Sequence, residues 1–226
     1  IKVTAKFDFG ALKQLVKTGI PIFLVGYLFA WWTTLNSTLV LKFMGKSGLG
    51  LYTIANMTSP AMALMTRALG QVIYPKLASD FGKGRSIRGL IKTSITPTLF
   101  GVVITAFGAA LAWFALPIAV THILPKYVEG IQAAQWAVIA AAVLAFGPIN
   151  NIFNVLQKQV RYGVAMCVGM ATYLGALYLF KTDGLALVDF PKAMLVGRCA
   201  FLVVTYSMVA YMALTEKRTG TLNEGR

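Results

Sequence analysis

Charged side chains in this chain fall almost entirely in the gaps between six long apolar stretches. The stretches cover residues 20–41, 51–73, 96–118, 133–156, 163–180 and 193–214. Each is close to the roughly 20 residues that a helix needs to cross a hydrocarbon layer about 30 Å thick. With 58% hydrophobic and 12% charged residues, the chain departs from soluble domains, which carry about 25% charged residues. The pattern predicts an all-α integral membrane protein with a bundle of about six transmembrane helices. Pro21, Pro60, Pro97, Pro117 and Pro148 fall at or inside the stretches. Neighbouring helices in a membrane support a proline that would break a soluble helix, so these positions predict kinks and not loops.

The net charge of +14 does not indicate nucleic acid, because the basic residues flank apolar spans and do not cluster with aromatics on one polar surface. Alternate connections place fourteen on one side: Lys2, Lys6, Lys13 and Lys17; Lys76, Lys83, Arg85, Arg88 and Lys92; Lys158 and Arg161; Lys217, Arg218 and Arg226. The other side holds five: Lys42, Lys46, Lys126, Lys181 and Lys192. The positive-inside rule then predicts that both termini face the cytoplasm. Residues 1–19 read as an amphipathic lead-in, with Phe7, Leu12 and Val16 near one face, and 215–226 as a cytoplasmic tail. No linker or repeat divides residues 20–214, so one membrane domain is expected. The chain opens on Ile1, not Met, which suggests an internal fragment.

Three landmarks occur in order along the chain. Lys42-Phe43-Met44-Gly45 through Leu49-Gly50-Leu51-Tyr52 is a short basic glycine turn; Gln71-Val72-Ile73-Tyr74-Pro75-Lys76-Leu77-Ala78-Ser79 is a basic exit; Ile123-Leu124-Pro125-Lys126-Tyr127-Val128-Glu129-Gly130-Ile131 re-enters the membrane. Together they resemble the polysaccharide and O-antigen flippases of the multidrug/oligosaccharidyl-lipid/polysaccharide exporter superfamily, over roughly residues 6–214. The resemblance implies one lobe, the C-terminal one, of a two-lobe transporter in the bacterial inner membrane. It implies as partners a polyprenyl-diphosphate-linked oligosaccharide, membrane lipid and a missing N-terminal lobe, with no cofactor. Many relatives carry an acidic-basic pair late in the first helix of this lobe; here Asn36-Ser37 stand there, so ion coupling through that pair does not carry over.

Two charges lie within the spans. Arg67 stands nine positions before Lys76, roughly 13 Å along a helix, and centring an arginine in hydrocarbon costs at least about 2.5 kcal/mol. Asn56, Pro60, Ala63, Arg67 and Gly70 follow a 4-3-4-3 spacing and so share one helical face. That face can line a watery cavity, with the Arg67 fork aimed at a diphosphate. Alternatively Arg67 bonds backbone carbonyls or Thr66 and supports packing. Arg198, six residues beyond Lys192, lines the cavity or snorkels outward. Thr33, Thr34, Asn36, Ser37 and Thr38, preceded by Trp31-Trp32, offer hydroxyls, an amide and an indole face to a sugar, or hydrogen bonds between helices. Asn150, Asn151, Asn154 and Gln157 pose the same choice. The candidate substrate-binding residues are Arg67, Asn56, Asn36, Thr34 and Arg198.

Enzymatic signals are weak. His122 is the one histidine, and all seven acids fall outside the deep spans, so neither a carboxylate pair nor a metal cluster is expected. Cys167 and Cys199 read as small buried hydrophobes. The expected function is translocation of a lipid-linked oligosaccharide by alternating access, without enzymatic activity. The alternatives are a cation-coupled drug exporter of the same superfamily, a membrane enzyme acting on a polyprenyl-linked sugar, and a purely structural membrane partner.

Overall fold

A computed structural model describes residues 9–181 and 184–223, and among them there is no strand. The helices are α1 (Phe9–Leu51), α2 (Thr53–Gly82), α3 (Ile87–Ile123), α4 (Ile131–Ala142), α5 (Asn151–Val155), α6 (Gln159–Phe180) and α7 (Asp189–Asn223). Short 3-10 segments, Pro125–Gly130 and Val143–Asn150, precede and follow α4. Residues 1–8 of the expected lead-in lie outside the described residues, and from Phe9 onward the chain is already part of α1. The tail is likewise helical as far as Asn223.

Five segments are long and apolar enough to cross a membrane: Gly19–Leu51, Ile87–Ile123, Pro125–Val155, Gln159–Phe180 and Asp189–Glu216. The protein is an all-α membrane bundle. The remaining expected stretch, 51–73, differs from these five in composition. That stretch forms most of α2, which has the length but not the apolarity, because one of its faces carries Asn56, Ser59 and Arg67. The Tyr74-Pro75 exit is not a loop either, since α2 continues through both prolines to Gly82.

The basic glycine turn folds in an unexpected way. Gly45, at φ 69° and ψ −171°, breaks α1 in a region that only glycine enters readily. Beyond it the backbone is helical again and stays so across Tyr52, with Tyr52 N–H bonded to Gly48 and Asn56 N–H to Tyr52. Asn36 nevertheless hydrogen-bonds Tyr52, although sixteen residues of straight helix would separate them by about 24 Å. The chain therefore reverses at Gly45, about equally far from both. The re-entry landmark packs onto this corner: a Cβ on Gly130 would collide with the Leu51 carbonyl oxygen, so only glycine permits the approach.

Two devices set the packing. Ala133, Ala134, Ala137, Ala140 and Ala141 are buried, and these small side chains let α4 pack against α2, α3 and α7 at once. The α6–α7 crossing is closer still, because Gly169 and Gly197 face each other with the Trp32 indole laid over both. At the other end of the bundle, buried Asp80 accepts hydrogen bonds from Arg85 (2.8 Å) and Thr93 (2.9 Å), and Glu216 on α7 accepts from the Ile87 N–H at the start of α3 (2.7 Å). A carboxylate placed there complements the positive end of the helix dipole.

The fourth expected span, 133–156, is interrupted. Between α4 and α5 the chain winds as eight residues of 3-10 helix containing Gly147 and Pro148, twice the length such runs usually reach. Pro148 lacks an N–H to donate, and beyond it Asn150, Asn151 and Asn154 line a cavity that Thr66, Arg67 and Gly70 of α2 also line. Cys167 and Cys199 are exposed on the bundle surface, not buried as expected.

Candidate functional site

A cleft of about 580 Å³ is walled by α1, α2, α4, the 3-10 segment after it, and α7. All five residues singled out from the sequence line it: Thr34 and Asn36 from α1, Asn56 and Arg67 from α2, Arg198 from α7. The α2 face follows directly from helical periodicity. Asn56, Pro60, Ala63 and Arg67 all line this cleft, and Gly70, one turn on, lines a neighbouring one.

Arg67 stands where the two cavities meet, contributing to both. It makes no hydrogen bond or ion pair with any described residue, and Thr66, considered as its partner, keeps a buried hydroxyl with no bond of its own. Successive residues on a helix do not face each other, so that pairing fails on geometry.

Arg198 does not snorkel. It is 5% exposed, and its Nη1 has no hydrogen-bond partner among the described residues. Tyr52 lines the same cleft. Tyr52 is in turn held by a buried relay: the Tyr173 hydroxyl donates to Asn36 Oδ1 at 3.0 Å, and Asn36 Nδ2 donates to the Tyr52 oxygen at 3.0 Å. The Asn36 amide is thereby held at both ends, with one N–H and one oxygen lone pair left over. Sequence reasoning missed both tyrosines, because Tyr52 sat in a turn landmark and Tyr173 in an unmarked apolar span, 137 residues from Asn36.

The hydroxyls of α1 bond within their own helix, not between helices. Thr33 and Thr34 donate to the Ala30 carbonyl at 2.7 and 3.1 Å, and Ser37 donates to Thr33 at 3.4 Å. Donation leaves the oxygen lone pairs free to accept from whatever enters the cleft. Neither tryptophan supplies a stacking face there. Trp32 is 2% exposed and packs on Tyr173, with centroids 6.4 Å apart, while Trp31 is 53% exposed outside the cleft.

Two arginines and no carboxylate line the cleft. Among the described residues no three His, Cys, Asp or Glu side chains are grouped to hold a metal ion. What the arrangement can do is attract an anion into a wall of hydroxyl and amide groups.

Beyond the described geometry, no curated protein and no solved structure matches the chain significantly. A family profile does match, over residues 1–124, more than half the chain, and its description is polysaccharide biosynthesis protein. A multi-pass helical membrane protein with this match belongs to the polysaccharide biosynthesis protein family.

Proposed function

We propose that the protein translocates a polyprenyl-diphosphate-linked oligosaccharide or polysaccharide precursor across the bacterial cytoplasmic membrane by alternating access, as a carrier and not as an enzyme. The observation that carries this reading is the chemistry of the cleft wall, with Arg67 and Arg198 set among hydroxyls and amides and no acid lining it. A guanidinium fork matches the oxygens of a diphosphate in two-point fashion, and the free lone pairs of Thr33, Thr34 and Ser37 suit sugar hydroxyls. An exporter of cationic drugs would need embedded carboxylates, and none lines the cleft. A membrane enzyme would need a positioned acid, base or metal, for which the cleft supplies no residues.

In this reading the described helices form the C-terminal lobe, and an N-terminal lobe of the same transporter supplies the opposite wall of the cleft. The two lobes rock about the bound head group. The excess of basic residues on one side orients both termini to the cytoplasm. The resemblance of the three landmarks to O-antigen flippases supports the same assignment.

The test is export of surface polysaccharide by the full transporter in a flippase-deficient strain, normalised to inserted protein. Arg67→Ala abolishes export at near-normal abundance, and Arg67→Lys restores only part of it because the planar fork is lost. Full export by a well-inserted Arg67→Ala protein refutes the diphosphate role.

A further inference from the structure

Beside the cleft lies a second cavity of about 220 Å³, on the side of Arg67 away from the Asn36–Tyr52 relay. It shares Phe29, Ala63, Arg67 and Leu144 with the cleft, so the two are separated only by these side chains. Its polar groups are Asn150 at the end of the 3-10 segment, Asn151 and Asn154 on α5, Thr66 and Arg67 on α2, and Tyr162 on α6. Apart from Arg67, nothing lining it is charged.

These groups are poorly satisfied by the protein itself. Asn150 Nδ2 reaches the Tyr162 hydroxyl, and Asn151 Nδ2 the Gly70 carbonyl, each at a long 3.4 Å. Asn150 Oδ1 and Thr66 Oγ1 are buried with no hydrogen-bond partner among the described residues. Unpaired polar groups in low dielectric cost free energy unless a ligand or water completes them. Three carboxamides side by side present donors and acceptors in equal measure. An anion would use only the donors. A sugar ring, whose hydroxyl and acetamido groups both donate and accept, uses both.

Resting on the carrier reading above, we propose that this second cavity is an uncharged carbohydrate subsite, which holds a single sugar unit of the head group while Arg67 holds the adjoining phosphate. Its volume lies below the roughly 300–1,000 Å³ of sites for drug-sized ligands, which fits one ring and not an oligosaccharide.

The experiment measures binding of two probes to the full transporter in nanodiscs: undecaprenyl diphosphate, and the same lipid bearing one N-acetylglucosamine. The unaltered protein binds the sugar-bearing probe about tenfold more tightly, the worth of one or two hydrogen bonds. Asn154→Leu loses that preference and leaves affinity for the bare diphosphate unchanged, while Asn154→Gln keeps it. Gly70→Val intrudes from the opposite wall, since a Cβ there lies 3.6 Å from Asn151 Nδ2, and also removes the preference. Arg67→Ala weakens both probes by the same factor. Equal binding of the two probes by the unaltered protein, or Asn154→Leu and Gly70→Val variants that retain the preference, overturns the subsite alone. Failure of the unaltered protein to hold either lipid overturns the carrier reading and this subsite with it.

Discussion

The α6–α7 crossing yields a prediction whose size can be worked from the atoms. A Cβ on Gly197 would lie 2.7 Å from the Gly169 carbonyl oxygen, 2.7 Å from Tyr173 Cβ and 3.0 Å from Trp32 Cζ2. Ordinary contact begins at 3.4 Å. Neither a backbone oxygen nor a Cβ is the free end of a flexible side chain, so the helices themselves must separate. Overpacking of this kind costs about 1–3 kcal/mol. Replacing a helical glycine by alanine returns about 0.5–1 kcal/mol of backbone entropy and propensity. Gly175 supplies the control, since it lies on α6, the other helix of the crossing, and a Cβ there meets nothing within 4 Å. The helical gain is common to both variants and cancels in the comparison. Gly197→Ala is therefore expected to be about 1–3 kcal/mol less stable than Gly175→Ala. Reversible denaturant unfolding in detergent, followed by circular dichroism, measures the difference. A Gly169→Ala, Gly197→Ala double variant should cost less than the sum of the singles, because one separation relieves both overlaps. If Gly197→Ala proves as stable as Gly175→Ala, the close crossing is not a determinant of this bundle.

Asn36→Leu removes both bonds of the relay and leaves the Tyr52 and Tyr173 hydroxyls unpaired, at about 1–3 kcal/mol for two interhelical bonds in a membrane. The same unfolding assay checks it, and an unchanged stability refutes the relay as a structural element. On orientation, a cysteine placed at Lys126 in a background free of Cys167 and Cys199 should react with an impermeant thiol reagent in intact cells, whereas one at Lys83 should not; the reverse pattern inverts the topology.

Much of the bundle was legible before any fold was known. Apolar stretches of about 20 residues bounded by charge leave a chain little choice but to form membrane helices. The polar face of α2 was equally plain, because a 3.6-residue period decides on its own which side chains share a side. Both facts are local, and local geometry is what a sequence encodes directly.

The partners of each face are a different matter. Adjacent Trp31 and Trp32 point one outward and one into the core, and their own residue types do not distinguish them. Arg198 stood near enough to a span end to snorkel, yet it is buried in the cleft wall. Exposed Cys167 and Cys199 and the buried alanines of α4 are all apolar. In water, apolarity separates inside from outside; in lipid both the core and the outer surface favour apolar side chains, so hydropathy no longer tells them apart. The period along α1 and α2 therefore sufficed to place Asn56 and Arg67 together. Bringing Asn36 to Tyr52 required the reversal at Gly45, and bringing it to Tyr173, 137 residues away, required α1 to pack against α6, because only packing between helices decides which polar faces converge.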